Sequence, residues 1–533
     1  MAGACQRQTP NEVEIHDRPR RPVDDPTLGI PVPVPAASRP AAHRLVTIGD
    51  SLTQGFMSAA IYRTDLSWPA MVAYELGLPA EQFRFPTYEW PTGPGGLPLD
   101  LERLARQFQA RFGPVLDFWE VIPAALWVQS YLDRIEDHWE RGPGSGPPPA
   151  GEPFHNMAAY GWDVLDAVTL TADIVAGRIR TPRDDPLAQV VQDDADRSAW
   201  VVLQRARSTR RARTVLEAAA AMARAPQGIE TLVVMLGSNN ALGSVVQLAP
   251  CWTPPEYAGL TPAQRLAVKG RCSVWRPEHF AADWSLLEDR LRQVDARHVI
   301  VATVPSVTIA PIARGVAGKV RPDSRYFPYY TRPWVPDRDF DPARDPHLTE
   351  QEARAIDSAI DAYNATIIAS VEAARRDGLD WYLFDMGGLL DRLATRRYIE
   401  SPWTRPSWWT PYPLPPELAG LDPVPSTRFF RSGPQGRVDG GLFSLDGVHP
   451  TTVGYGLVAQ EVIRIMQQAG VEFAGRDGVP RSGAVTVDFA RLLAVDSLLS
   501  DPPAVVSPTL SLLGWLDQRL DWVRRVLPFA PSM

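Results

Sequence analysis

The stretch TIGDSLTQGF, residues 47–56, joins a short apolar run to a serine. The run from Leu45 to Ile48 has the length and composition of a buried strand, and it stops at Gly-Asp-Ser-Leu. A serine placed there is either part of an ordinary turn or a nucleophile held at the end of a buried strand. The rest of the chain has to distinguish these two interpretations.

Further apolar segments resemble buried strands, and helical patterns lie between them. The predicted strands are at 153–161 (PFHNMAAYG), 231–237 (TLVVMLG), 298–305 (HVIVATVP) and 380–386 (DWYLFDM), and the predicted helices are at about 197–225, 278–295 and 349–376. In the last helix the apolar residues recur every three or four positions. Short apolar strands alternating with amphipathic helices predict an α/β fold whose parallel sheet is covered on both faces.

Ligands of such sheets bind outside the carboxyl ends of the strands. Ser51, Gly161 and residues 237–240 each follow a predicted strand. We therefore expect these three segments to lie on one rim of the sheet, far apart in sequence but close in space.

The chain divides into three predicted parts. These are a proline-rich extended arm (1–41) that does not form a packed element, a main domain (42–475) and a C-terminal segment (476–533). Four stretches do not fit the repeating pattern and are predicted insertions: 88–150, with helical patterns at 98–112 and 118–140, and 244–277, 306–346 and 398–440. The C-terminal segment contains a predicted amphipathic helix with Leu513, Leu516, Leu520, Val523 and Leu527 on one face. We expect this helix to dock on the domain, because its polar face mixes acidic and basic residues and so disfavours contact with a membrane surface.

Charge and composition exclude several classes of protein. The net charge of −8 gives no basic face for nucleic acid. The arginine-rich stretch 205–214 is interpreted as a solvated helix face. No apolar run is long enough to cross a bilayer, and the N-terminus has no signal-peptide pattern, so we expect a cytoplasmic protein. The histidines show no ligand spacing, so neither a metal nor another cofactor is predicted.

Only three cysteines occur, too few for a disulfide framework. Cys251 and Cys272 flank one predicted loop. Two alternatives remain: they pair with each other in an oxidising compartment, or both are reduced thiols.

Candidate catalytic groups occur in the stretch LFSLDGVHPTTVGYG, residues 442–456, in which Asp446 and His449 are three residues apart. A serine becomes a nucleophile when an imidazole takes its proton, and a carboxylate that fixes the tautomer makes the imidazole a better base. Ser51, His449 and Asp446 supply all three groups. We expect a hydrogen bond between the Ser51 hydroxyl and His449.

Acyl transfer to a serine also needs hydrogen-bond donors for the oxyanion of the tetrahedral intermediate. Gly161 ends the stretch NMAAYG and would offer an unobstructed backbone N–H. Asn239 lies just beyond a predicted strand, and its side chain can donate directly.

These stretches, taken in order, resemble the sequence blocks of the GDSL, or SGNH, hydrolases. The blocks are Gly49-Asp50-Ser51-Leu52, Gly161, Gly237-Ser238-Asn239-Asn240 and Asp446-Gly447-Val448-His449. The resemblance implies that Ser51 is the nucleophile, that His449 is the base and that Asp446 orients it. It also implies an oxyanion hole of the Ser51 N–H, the Gly161 N–H and the Asn239 side chain. The implied fold is a three-layer α/β/α sandwich, flavodoxin-like, with about five parallel strands. Asn240 departs from the family, which often has aspartate there.

The expected function is therefore metal-independent hydrolysis of carboxylic esters through an acyl-enzyme, with a small-molecule or lipid ester as substrate. A carbohydrate O-deacetylase, a thioesterase, an acyltransferase or a non-catalytic binding module with the same scaffold remain alternatives. The insertions 88–150, 306–346 and 398–440 are predicted to gather over Ser51 as a partial cover. Their aromatic residues Trp403, Trp408 and Trp409 then either line the cleft or pack as rigid loops on the body.

Overall fold

The computed structural model describes residues 6–34, 41–88, 95–113, 118–182, 191–207 and 211–504. Its centre is a parallel five-stranded sheet with spatial order β10-β6-β5-β1-β4. The strands of the described chain are β1 His43–Gly49, β2 Ala60–Ile61, β3 Leu97–Pro98, β4 Asn156–Ala158, β5 Ile229–Met235, β6 Ala296–Ala302, β7 Arg314–Gly315, β8 Tyr329–Thr331, β9 Leu348–Thr349, β10 Trp381–Phe384, β11 Arg431–Gly433 and β12 Gly436–Asp439. Counted along the chain, the five central strands follow the order 2-1-3-4-5, which is that of flavodoxin-like doubly wound sheets. The prediction of an α/β fold with about five parallel strands is confirmed.

Helices connect the strands and cover the sheet. They are α1 Ser51–Gln54, α2 Trp68–Glu75, α3 Leu101–Phe112, α4 Val121–Glu140, α5 Val164–Thr169, α6 Ala172–Ala176, α7 Asp194–Ala206, α8 Val215–Ala223, α9 Asn239–Val246, α10 Pro262–Lys269, α11 Pro277–Leu291, α12 Glu350–Arg376, α13 Met386–Leu393, α14 Pro416–Ala419, α15 Thr452–Gln468, α16 Phe489–Val495 and α17 Ser497–Ser500. A single π-helical turn follows α13 at Thr395–Ile399, and short 3₁₀ turns occupy Thr64–Leu66, Ala80–Gln82, Phe118–Glu120, Tyr257–Gly259, Val307–Ile309 and Pro402–Thr404.

Both faces of the sheet are buried, because successive side chains of a strand point to opposite sides. Along β5, Leu232 and Val234 belong to a core formed with helices α5, α8, α11 and α12. Val233 and Met235 belong to a second core formed with α2, α13, α15 and α16. This two-sided burial explains why the strands are continuous apolar runs in the sequence.

One predicted helix is wrong in its extent. The pattern at 197–225 is two helices, since α7 ends at Ala206 and α8 begins at Val215. The second helix starts where Thr214 accepts the N–H of Glu217, whose carboxylate accepts the N–H of Thr214 in return. The described residues of the arginine-rich stretch 205–214 are the end of α7 and non-helical residues before α8, so they do not form one helix face.

The N-terminal arm is extended, as predicted, but it is packed on the body, contrary to the prediction. Between residues 6 and 34 it forms no helix. The N–H of Leu383 in edge strand β10 donates to Pro26 O at 2.8 Å, and Arg375 Nε donates to Ile30 O at 2.7 Å. Arg20 forms an ion pair with Asp385 just beyond β10. The arm is thus held by a backbone N–H of the edge strand and by arginine side chains of the arm and of α12.

The cysteines match neither alternative. Cys251 is disulfide-bonded and Cys272 is a free thiol, so they do not pair with each other. Burial raises the pKa of the Cys272 thiol to about 12, which makes it a poor nucleophile. A disulfide is more typical of oxidising compartments, so the cytoplasmic location stays a prediction.

Within the described ranges, none of the helices combines the length and the hydrophobicity that crossing a bilayer requires. The amphipathic helix predicted around Leu513 to Leu527 lies outside the described residues.

The end of β1 leaves no space for a side chain at Gly49. A Cβ there would lie 2.2 Å from Thr53 Oγ1 and 2.8 Å from the backbone oxygen of Met235. We expect Gly49→Ala to lower the free energy of unfolding by about 1–3 kcal/mol, the usual range for overpacking. Gly270→Ala is the matched control, since a Cβ there meets nothing within 4 Å and its φ of −58° suits alanine. Chemical denaturation of both variants checks this, and equal losses would contradict it.

Candidate active site

Strand β1 lies between β4 and β5, and the pairing register brings the predicted site residues to one rim. Gly49 is paired with Ala158 on one side and with Met235 on the other. Ser51 lies two residues after Gly49. Gly161 lies three residues after Ala158, and Asn239 lies four residues after Met235. The three chain segments therefore leave neighbouring strands at the same edge, as the sequence predicted.

Ser51 is the first residue of the short helix α1 and is buried, with 3% of its surface exposed. The preceding residue, Asp50, caps the helix by accepting the N–H of Leu52 at 3.0 Å. Asp50 thus braces the turn that presents the serine. The first N–H groups of a helix have no partner within the helix, so the backbone of Ser51 is suited to donate to a ligand.

His449 is bound through its ring to Asp446, with 3.0 Å between Nδ1 and Oδ2. The other carboxylate oxygen accepts the backbone N–H groups of Val448 and His449, both at 2.8 Å. Asp446 is fully buried, and burial alone would raise its pKa. The charge of His449 and these hydrogen bonds outweigh burial, so the pKa of Asp446 lies below its ordinary value. An ionised Asp446 holds a proton on Nδ1 and leaves Nε2 as the basic nitrogen.

A strained turn after α1 completes this arrangement. Ser58 and Ala59 have φ values of +51° and +61°, a left-handed conformation that residues other than glycine rarely adopt. In this conformation the Ala59 N–H donates to Asp446 Oδ2 at 2.8 Å, and the Ser58 N–H donates to Ser444 Oγ at 2.8 Å. Sequence reasoning missed this turn, because neither position holds the glycine or asparagine that normally marks a left-handed backbone conformation.

Ser51 and His449 line the same pocket, whose walls are mainly apolar. The cavity measures about 80 Å³, and Leu242, Leu389 and Phe443 contribute to its walls. The expected hydrogen bond between the serine and the histidine is not formed: His449 Nε2 is buried and has no hydrogen-bond partner in the described chain. The basic nitrogen is therefore buried at a mostly apolar pocket that Ser51 also lines, and no group of the described chain competes for it.

Asn239 and Gly161 meet next to this pocket but do not line it. Gly161 occupies the turn after β4 with φ +80°, and the following Trp162 O accepts a hydrogen bond from Asn239 Nδ2 at 2.6 Å. The amide has two N–H groups, so one remains for another acceptor. The glycine turn and the asparagine are thus in contact, as the proposed oxyanion hole requires.

The three tryptophans do not line the pocket, so the prediction of a tryptophan cleft wall is wrong. Trp409 is buried against Tyr398, and its indole N–H donates to Asp391 O at 3.0 Å. Trp408 packs against the same small cluster, and Trp403 is 64% exposed. A buried indole needs a partner for its N–H, and the carbonyl of Asp391 draws Trp409 away from the cleft.

The cover predicted from the insertions is formed only in part. Ser306, Val307 and Ala310 from insertion 306–346 and Thr427 from insertion 398–440 line the pocket. The described residues of 88–150 contribute nothing to its lining. Helix α3 in that segment instead packs its apolar face into the first core.

Two aromatic residues near the histidine were not anticipated. The ring centroid of Phe56 is 4.6 Å from that of His449, and Tyr455 Oη donates to Phe56 O at 2.6 Å. The only sequence signal was proximity, since Phe56 follows Ser51 by five residues and Tyr455 follows His449 by six. Phe56 therefore packs against the imidazole, and Tyr455 holds the backbone of Phe56 in place.

No protein-family model matches the chain, and no curated protein sequence matches it. The assignment of the site therefore rests on the four motifs and on the geometry of Ser51, Asp446 and His449.

The buried Asp50 gives the site a measurable pH dependence. Burial, opposed by the Leu52 N–H and by the charge of His449, raises the pKa of Asp50 to about 7. When the pKa of a carboxyl is higher in the folded state, the free energy of unfolding of the protein falls as pH rises. The fall takes place between the unfolded pKa, about 4, and the folded pKa. We expect Asp50→Asn to gain stability relative to the unmodified protein between pH 4 and 7, by up to about 4 kcal/mol at about 1.4 kcal/mol per unit.

Urea denaturation at pH 5, 6, 7 and 8 measures this difference. Asp446→Asn is the control with the opposite sign. The pKa of Asp446 is lowered, so its contribution is complete above the unfolded pKa and is lost only as pH falls below it. The Asp446→Asn difference should be constant over this range. A constant difference for Asp50→Asn as well would contradict the expectation.

Proposed function

We propose that this protein is a serine hydrolase that cleaves carboxylic esters through an acyl-enzyme. The observation that carries the proposal is that Ser51 shares an apolar pocket with His449, whose Nδ1 is bound to the buried Asp446. The other ring nitrogen, Nε2, has no partner in the part of the chain that the structure describes. These are the nucleophile, the base and the group that orients the base. The resemblance of the four motifs to the GDSL, or SGNH, hydrolases supports the same assignment.

In the acylation step, Ser51 Oγ attacks the ester carbonyl carbon while His449 Nε2 takes the hydroxyl proton. The resulting imidazolium lies 3.0 Å from the Asp446 carboxylate, which stabilises it. His449 then returns the proton to the leaving alkoxide, and the acyl group stays on Ser51 as an ester. Water attacks this ester with His449 again as base, which releases the acid and restores the serine.

The oxyanion formed in each step needs donors that are already in place. We assign this role to the backbone N–H of Ser51 at the start of α1, to the Gly161 N–H and to the Asn239 amide. The bond from Asn239 Nδ2 to Trp162 O holds the amide against the glycine turn. Preorganised donors of this kind need no rearrangement as the charge develops.

The size and polarity of the pocket also indicate which acyl group the substrate carries. Its volume of about 80 Å³ is small for a ligand site, and its walls are mostly apolar, which favours a short acyl group over a long lipid chain. An O-deacetylase, a thioesterase and an acyltransferase use the same acyl-enzyme and differ only in the leaving group or the acceptor. A non-catalytic binding module needs no reactive serine, and covalent labelling separates it from all of them.

A fluorophosphonate probe tests the nucleophile directly. We expect one label per chain, on Ser51, because only an activated serine attacks phosphorus at a useful rate. Ser306 lines the same pocket, so Ser306→Ala is the matched control and should still be labelled, whereas Ser51→Ala should not. Intact-mass spectrometry and peptide mapping give the readout. A protein that stays unlabelled, or that is labelled equally in Ser51→Ala, would refute the assignment.

Steady-state kinetics on 4-nitrophenyl acetate and butyrate test the roles of the other residues. We expect Ser51→Ala and His449→Ala to lower kcat by at least about 10⁴-fold, because the groups act as a unit. Asn239→Ala should lower kcat by about 10²- to 10³-fold, as loss of one oxyanion donor does. His347→Ala, outside the pocket, should leave kcat unchanged, and thermal melts show whether each variant is folded. Full activity in Asn239→Ala would remove it from the oxyanion hole.

A further inference from the structure

A second and much larger cavity, of about 840 Å³, adjoins the pocket of Ser51. Its walls come mainly from the insertions 306–346 and 398–440, and Thr427 lines both cavities. At this boundary Thr427 is fixed to the π-helical turn, because its N–H donates to Thr395 Oγ1 at 3.0 Å and its hydroxyl accepts the Thr395 N–H at 2.9 Å. The cavity is thus built by the segments that also border the catalytic serine, and it has the size of a ligand site.

Arg325 is the most unusual residue of this cavity. It is only 5% exposed, yet its Nε and Nη2 have no hydrogen-bond partner in the described chain. Its remaining nitrogen, Nη1, makes one long contact of 3.4 Å with Tyr398 Oη. The unpartnered Nε–H and Nη2–H are the parallel pair with which a guanidinium binds a carboxylate or phosphate through two hydrogen bonds. A buried cation with these donors unused is costly unless something binds it.

The surrounding charge is positive. Six arginines and four aspartates line the cavity. Asp337 is paired with Arg314, and Asp439 lies 3.8 Å from Arg428 and 3.7 Å from Arg431. Arg428 is also paired with Glu400. Within the described residues Arg325 and Arg396 form no ion pair, and both line the cavity beside Arg397.

The nearest acids compensate this charge only in part. Asp357 is bound to Arg397 at 3.0 Å, and the nearest oxygen of Asp391 is 3.8 Å from Arg397 Nη1. Nη1 has no hydrogen-bond partner among the residues that the structure describes. Burial, opposed by Arg397 and Arg325, raises the pKa of Asp391 to about 6. Nearby, burial and the charges of Arg397 and Arg396 lower the pKa of Lys319 to about 7, so an added cation is disfavoured here.

We propose that this cavity binds an oxyanion, a phosphate or carboxylate group, carried by the ester substrate at a distance from the bond that Ser51 cleaves. This proposal rests on the proposed function only in taking an ester as the substrate. The binding of the anion follows from Arg325, Arg396 and Arg397. Arg396 lies over the Phe327 ring at 4.6 Å and donates to Gly315 O at 2.8 Å, which leaves its other N–H groups for a ligand. Aromatic and proline residues in the same walls provide an apolar surface for the body of the substrate.

Matched esters test the proposal. 4-Acetoxyphenyl phosphate and 4-acetoxybenzoate carry the anion, and 4-acetoxyanisole is the neutral counterpart. We expect a KM about ten- to a hundredfold lower for at least one charged ester than for the neutral one, the range of charge-assisted hydrogen bonds. Comparison of the two charged esters shows whether phosphate or carboxylate is preferred. Equal KM values for all three would overturn the proposal.

Variants locate the effect. Arg325→Gln and the half-buried Arg396→Gln should each raise the KM of the charged ester about tenfold and leave that of the neutral ester unchanged, so the KM ratio of charged to neutral ester rises toward one. Arg376→Gln is the control, since Arg376 is exposed at the end of α12 and paired with Glu372. Arg325→Lys should retain more of the preference for the charged ester than Arg325→Gln does, because lysine keeps the charge but lacks the parallel pair of N–H donors. If Arg325→Gln fails to fold, Arg396→Gln still decides, and an unchanged ratio there would overturn the proposal.

Calorimetric titration separates failure of this proposal from failure of the proposed function. Inorganic phosphate and 4-methoxyphenyl phosphate should bind the unmodified protein and bind Arg325→Gln or Arg396→Gln at least tenfold more weakly, whether or not any ester is cleaved. Binding of phosphate without any preference among the three esters would overturn the link to the substrate. Ester cleavage without anion binding would overturn the anion site and leave Ser51 as assigned.

Discussion

The site depends on the burial of one carboxylate. Asp446 accepts hydrogen bonds from Ala59, Val448 and His449, and from the ring of His449, so its charge is satisfied without water. Ala59 and Asp446 are 387 residues apart, so these bonds join the turn after the serine to the loop that holds the histidine. A buried charge that lost these partners would be strongly destabilising. The same bonds that keep the carboxylate ionised therefore bring Ser51 and His449 into one pocket.

The sheet places the other groups. Because β1 lies between β4 and β5, the segments with Ser51, Gly161 and Asn239 emerge side by side without a long excursion of the chain. The histidine has no strand to place it, since it lies in the loop before α15. Its position is set by Asp446 and by the ring contact with Phe56, whose backbone oxygen accepts a hydrogen bond from Tyr455. The candidate site thus combines the rim of the sheet with a loop that is held by hydrogen bonds.

How far the sequence predicts this arrangement depends on the range of the interactions. The five strands and α12 were predictable, because burial on both faces and helical periodicity are local patterns. The break between α7 and α8 was missed because it depends on a short capping signal at Thr214 within a helical composition. The strained turn at Ser58 and Ala59 has no sequence signal, since it is held by residues from the far end of the chain. Trp409 was misplaced because the partner of its indole, a backbone carbonyl, is invisible in the sequence.

The N-terminal arm has a consequence for self-association. An edge strand with unpaired backbone groups is a template for pairing with another chain, and β10 is one edge of the central sheet. The arm occupies that edge: Pro26 accepts the N–H of Leu383, and the prolines around it offer few donors to a further strand. At the opposite edge β4 is only three residues long, and Arg84 O accepts the N–H groups of His155 and Asn156. Both margins of the sheet are thus closed by irregular chain, which protects the parallel core from intermolecular β-pairing.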